Sequence, residues 1–234
     1  MECQRLMRTS IVVIATLAAA MACSRDLTSN STPSTGGDTS ASKNLNISVD
    51  SAFANRTAVV ATPIPAVVHV TLAGQPAPGI AVSWVLTDAD GGSVSPASST
   101  TDASGVATTT WTLGDTARAY TLTAAISSGS VGLQATAIAG PATALAKISA
   151  DTIVVAAGAS AFVTVRAVDK LGNPVAGVVV SWTTNGGSLT AGTTTTGASG
   201  NAEVVFSSDA TPRTYSISAS ATGLNTVAFT IVGR

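Results

Sequence analysis

The stretch Gly172-Asn173-Pro174-Val175-Ala176-Gly177-Val178-Val179-Val180-Ser181-Trp182 decides the fold, because it occurs twice. Its earlier copy is Gly74-Gln75-Pro76-Ala77-Pro78-Gly79-Ile80-Ala81-Val82-Ser83-Trp84. Further on, Thr101-Asp102-Ala103-Ser104-Gly105 matches Thr196-Gly197-Ala198-Ser199-Gly200, and Tyr120 matches Tyr215. The tryptophans are 98 residues apart and the later pairs 95 apart. The difference is a three-residue insertion ahead of the Gly91-Gly92 turn. An insertion confined to a turn, with spacing kept elsewhere, is what two copies of one fold require.

Within each copy the period is two. Ile80, Val82 and Trp84 share one face of an extended segment, as do Val178, Val180 and Trp182. Ala107, Thr109 and Trp111 are matched by Ala202, Val204 and Phe206, and Tyr120, Leu122 and Ala124 by Tyr215, Ile217 and Ala219. Each set predicts a strand with its larger side chains in a core and its smaller ones outside. Turn signals recur at short intervals: Gly74-Gln75-Pro76, Asp90-Gly91-Gly92, Ser104-Gly105, Gly114-Asp115 and Ser128-Gly129, with their second-copy equivalents. No window carries a capped helical stripe. The pattern predicts an all-β chain: two tandem Ig-like antiparallel β-sandwich domains, at 45–140 and 141–234, meeting at Gly140-Pro141. No Cys…Trp…Cys spacing is present, so neither core holds an antibody-type disulfide.

Composition excludes several functions. Of 234 residues only 10% are charged, against about 25% in ordinary soluble domains, and the net charge is −1. Such a surface must be built from Ser, Thr, Asn and Gly, as in exported β proteins. A near-neutral chain has no basic footprint for nucleic acid. The only histidine is His69, and the only glutamates are Glu2 and Glu203.

Residues 1–22 read as a signal peptide. Arg5 and Arg8 form a positive start, and Ile11 to Ala20 is an apolar run of ten residues, too short to span a bilayer. Ala20-Met21-Ala22 places a cleavage site before Cys23. A buried N-terminal helix is the competing reading, and the polar tract that follows offers it nothing to pack against. Leu17 to Cys23 (LAAAMAC) resembles the processing site of a bacterial lipoprotein, with Ala20 where that box usually has Leu. The resemblance implies acylation of Cys23, which makes the membrane a partner through a lipid anchor. Ser24 after the cysteine implies an outer-membrane or cell-surface destination; without the lipid the chain would be secreted. Residues 23–44 are Ser-, Thr-, Gly- and Asp-rich, a composition that cannot offset its ordering entropy and predicts a disordered tether.

Asp169-Lys170-x-Gly172-Asn173-Pro174-Val175-x-Gly177-Val178-x-Val180-x-Trp182, with Gly186-Gly187-Ser188-Leu189 and Thr196-x-x-x-Gly200-x-Ala202, resembles the bacterial Ig-like domains of group 1, the invasin and intimin type. Copy one has lost the Asp-Lys pair before Gly74. The resemblance implies a spacer or adhesive role on a bacterial surface.

No catalytic, cofactor or metal site is expected. His69 lies in a strand between inward Val68 and Val70, so it faces solvent, with no second ligand to make a metal site or a base. Asp88-Ala89-Asp90-Gly91 resembles the start of a calcium loop but lacks the terminal acid and reads as a polar turn. Glu203 sits outward between Ala202 and Val204, without a histidine in its copy. Trp84, Trp111 and Trp182 belong to cores, and Tyr120 and Tyr215 point inward with a polar tip, leaving few aromatics for a sticky surface. The expected function is a non-catalytic surface stalk or adhesive module. The alternative is a binding module that grips a polysaccharide or protein through sandwich loops.

Overall fold

The computed structural model describes residues 44–53 and 56–234. The signal peptide, Cys23 and all of the tether but its last residue lie outside the described residues.

The first sandwich holds β1 (Leu45–Val49), β2 (Arg56–Val59), β3 (Pro63–Leu72), β4 (Gln75–Pro76), β5 (Ala81–Leu86), β6 (Ser93–Ser95), β7 (Ser98–Thr100), β8 (Val106–Thr112), β9 (Ala119–Ile126) and β10 (Gly129–Ile138). The second holds β11 (Ala144–Lys147), β12 (Thr152–Val155), β13 (Ser160–Val168), β14 (Val179–Thr184), β15 (Ser188–Leu189), β16 (Thr193–Thr195), β17 (Asn201–Ser207), β18 (Thr214–Ser220) and β19 (Val227–Gly233). One sheet of the first sandwich runs β1-β3-β8-β6, with β4 also on β3; the facing sheet runs β2-β10-β9-β5-β7. The second repeats both orders as β11-β13-β17-β15 and β12-β19-β18-β14-β16. In place of β4 it has a single bridge between Val168 and Pro174.

The alternating residues form two cores. Val82, Trp84, Ala107, Trp111, Tyr120, Leu122 and Ala124 are buried in the first, with Val68 and Val70 from β3. Val180, Trp182, Ala202, Val204, Phe206, Tyr215, Ile217 and Ala219 are buried in the second. Each buried tryptophan finds an acceptor for its indole N–H. Trp84 donates to Ser99 Oγ at 2.8 Å, Trp182 to Thr194 Oγ1 at 2.8 Å, and Trp111 to the Gly91 carbonyl at 2.9 Å. Buried indole is thereby kept satisfied, which removes the desolvation cost of an orphan donor.

The repeated Thr and Gly positions also have reasons. Thr101 Oγ1 donates to Ala77 O at 2.6 Å and accepts from Ile80 N at 2.9 Å. Thr196 does the same with Val175 O at 2.8 Å and Val178 N at 2.9 Å. Each hydroxyl pins the start of the tryptophan strand. Gly105 and Gly200 both have φ +73°, and a Cβ would fall 2.4 Å from Val70 O and 2.8 Å from Ala167 O. Only glycine fits that turn.

Two strand pairs are not antiparallel. β2 runs parallel to β10, and β12 parallel to β19. In each copy the entering chain covers the edge of one sheet, then crosses and covers the edge of the other. Period two is the same for either direction, so the sequence pattern carries no sign of it. The first crossing contains a 3-10 turn, Ser51–Phe53, whose Phe53 stacks on Trp111 with ring centroids 6.4 Å apart.

Candidate functional site: the joint between the sandwiches

The most heavily bonded polar cluster lies where the two sandwiches meet. Its centre is the turn Asp169–Asn173, which follows β13. Asp169 Oδ1 accepts from the backbone N–H of Leu171 at 2.9 Å and of Asn173 at 2.8 Å, the local closure that aspartate gives a tight turn. Its other oxygen accepts from the N–H of Gly140, in the connection between sandwiches, at 2.9 Å. Burial of Asp169 works to raise its pKa. The hydrogen bonds from Gly140, Asn173 and Leu171 outweigh that, and the carboxyl is held below its ordinary value.

Asn173 reaches the other way. Its Oδ1 accepts from Ala117 N and its Nδ2 donates to Asp115 O, both at 2.8 Å. An amide can donate and accept at once, so one side chain satisfies two backbone groups of the first sandwich. Asp169 and Asn173 are both 5% exposed. Val59, Val60, Ala61, Pro141 and Leu171 line an apolar groove beside them.

The loop that receives Asn173 is itself braced. Tyr120, buried in the first core, donates its hydroxyl to Thr116 O at 2.8 Å and accepts from Thr116 N at 3.2 Å. The guanidinium of Arg118 lies 4.3 Å from the Tyr120 ring centroid and 3.5 Å from Asp88 Oδ2. The second sandwich has a matching tyrosine and arginine, with different partners. Tyr215 OH accepts from Asp209 N at 2.8 Å, and Arg213 sits 4.6 Å from the Tyr215 ring and 2.6 Å from Asp209 Oδ2. The two loops differ at several positions, Asp209 and Ala210 standing where the first has Gly114 and Asp115. Pro212 stands where the first loop has Ala117, so the backbone donor that Asn173 uses is missing there.

The residues weighed from sequence fall as follows. His69 is on β3, its side chain 40% exposed, but it does not stand alone: Nε2 lies 2.6 Å from Asp50 Oδ2. That bond first, then the N–H of Ala52, holds the Asp50 carboxyl below its ordinary value. Asp50 was missed because it lies nineteen residues away, beyond any local pattern. Glu203 is exposed and accepts from Thr164 Oγ1 at 3.1 Å. Asp88 meets Arg118. Among the described residues no group of three or more His, Cys, Asp or Glu could hold a metal ion, and no helix is long and apolar enough to cross a membrane. Tyr120, Tyr215 and the three tryptophans are buried.

Two features escaped sequence reading. Asp169 and Asn173 were visible only as part of a motif, not as a joint. Phe162 is one of the few aromatics left for the surface: it is 64% exposed, on the outer face of β13. The signal was present, since Phe162 is out of phase with buried Ala161, Val163 and Val165.

Residues 146–232 match the model of the bacterial Ig-like domain (group 1), and the second sandwich is a domain of that family. Comparison with curated proteins finds no match. Among solved structures, the Escherichia coli adhesin FdeC superposes with a TM-score of 0.56 at 18% identity, over 80% of this chain and 65% of that one. The D0-D1 domain of intimin gives a TM-score of 0.34 at 22% identity, over 79% of this chain and 97% of that one. The Yersinia pseudotuberculosis adhesin InvE gives 0.42 at 17%, over 83% of this chain and 61% of that one. This chain therefore spans less than two thirds of FdeC and of InvE as solved.

Proposed function

We propose that this chain is a non-catalytic cell-surface protein whose two sandwiches form a stiff stalk or adhesive module, held at the membrane by a lipid on Cys23. The observation that carries the stalk reading is the two-way bond from Asn173 to Asp115 and Ala117. Domains joined by a bare linker move independently by default. Here a buried amide ties the second sandwich to the backbone of the first, and Asp169 ties it to the connection. The mechanism is geometric: the lipid fixes one end, the polar tether gives reach, and the coupled sandwiches hold a surface away from the membrane. The likeness in fold to an adhesin and the family match of the second sandwich support an adhesive role. The export signal supports placement in the cell envelope.

Cell fractionation with surface proteolysis, and mass spectrometry of the mature N-terminus, test this reading. Expected are a membrane-associated, protease-accessible chain and an acylated Cys23. A soluble chain with unmodified Cys23 overturns the anchor, and a protease-shielded chain overturns the surface stalk. The alternative, a module that binds a protein partner, is favoured by one observation, the exposed ring of Phe162.

A further inference from the structure

The outer face of the β13–β17 sheet carries a ring and a carboxylate with no cation between them. Phe162 lies directly opposite Val205, and Thr164 directly opposite Glu203, so the ring and the carboxylate are diagonal neighbours on one face. Val205 is half-buried and Glu203 exposed. Phe162 is the one exposed aromatic ring among the described residues. Four ion pairs form among the described residues, and Glu203 is in none of them. Arg166 is the other diagonal neighbour of Glu203 on this face, but its Nε donates to Asn201 Oδ1 at 2.8 Å and it forms no ion pair with Glu203. Lys147 is held by Asp151 at 2.6 Å.

This chain shows twice what such a pair takes. Arg118 fits between the Tyr120 ring and Asp88, and Arg213 between the Tyr215 ring and Asp209. A guanidinium satisfies both at once, stacking on the ring and donating to the carboxylate. At Phe162 and Glu203 the third such pair lacks its arginine. The first sandwich has no counterpart. The equivalent facing pair is Pro65 and Thr110, with Thr108 in the place of Glu203. The feature is therefore not a requirement of the fold.

We propose that Phe162 and Glu203 form a receptor site for an arginine side chain presented by a protein partner, its stem lying on Phe162 and Val205 and its head meeting Glu203. The proposal deepens the adhesive reading by assigning it a surface and a partner chemistry, and it rests on that reading for its biological sense.

The test is an NMR titration of the intact chain with acetyl-Gly-Arg-Gly-amide, against the same peptide carrying citrulline, a neutral isostere. Expected are saturable shifts at the Phe162 ring and the Val205 methyls. The citrulline peptide, Phe162→Leu and Glu203→Gln should each weaken binding at least fivefold. Both substituted positions are exposed, so spectra elsewhere should be unchanged and report folding directly. Citrulline binding as well as arginine, or arginine binding unaffected by either variant, overturns the proposal. So does the absence of saturable shifts in the folded chain. The localisation experiment above is independent. A binding chain that is not on the surface keeps the site and loses the stalk, and a surface stalk that ignores arginine does the reverse.

Discussion

The amide of Asn173 and the backbone N–H of Ala117 meet at 2.8 Å across the boundary between the two sandwiches. Asn173→Ala removes this bond and the one to Asp115 O together, along with a 3.1 Å contact from its Nδ2 to Asp169 Oδ2 within the second sandwich. The expected result is a looser pair, with both sandwiches still folded. Small-angle scattering should show a broader distribution of interdomain distances, and NMR alignment should give two tensors in place of one. With neutral hydrogen bonds contributing about 0.5–1.5 kcal/mol each, the loss should be about 1–3 kcal/mol in chemical denaturation. An unchanged scattering profile would sink the joint.

Acid should act on the same place. Asp169 is held below its ordinary value in the folded chain, so folding favours its ionised form. Its contribution is fully present above the unfolded pKa, and it is lost as pH falls through the folded value. The window therefore opens below about pH 4. Interdomain alignment measured from pH 7 downwards should hold until then and decay below it. Asp169→Asn should abolish that pH dependence, since the variant has no proton to gain.

A second carboxylate gives a separate titration. The Asp50 carboxyl is also held low, chiefly by the hydrogen bond from His69. His69→Ala should move its midpoint upward, towards the ordinary aspartate value, in a carbon-detected NMR titration. No movement would mean that the 2.6 Å contact is not populated in solution.

Trp182 is 4% exposed and donates to Thr194. Trp182→Ala should destabilise the second sandwich by about 3–5 kcal/mol in urea denaturation. A loss below about 0.5 kcal/mol, the level of a surface change, would contradict the burial.

Gly200 tests the repeat's backbone. At φ +73° an added methyl would meet Ala167 O at 2.8 Å and Pro174 Cβ at 2.8 Å. Gly200→Ala should cost more than about 1 kcal/mol, adding collision to an unfavourable backbone conformation. Gly172→Ala, also at positive φ but with open space around its Cβ position, should cost less. Thermal melts of the two variants would order them.

Much of the fold was legible because burial alternates along each strand. Trp84, Leu122 and Ile217 announce their faces by spacing alone. The β2–β10 and β12–β19 pairs were not legible, since strand direction leaves no periodic trace. The joint escaped for another reason. Asn173 bonds to residues 56 and 58 positions earlier, and its partners there are backbone atoms that any residue but proline could supply. Phe162 was legible in principle, since it alternates out of phase with buried Ala161, Val163 and Val165.

Pro212 has a consequence for assembly. A contact that joins the head of one unit to the tail of the next is not self-limiting, and when its rotation does not close it grows into a filament. The Asn173 contact is of that type, and the two sandwiches share one strand order, so the second has a loop in the corresponding place. Proline at 212 has no N–H to give. An incoming asparagine would find no backbone donor at that position for its Oδ1. One missing hydrogen therefore discourages repetition of this fastening at the second sandwich.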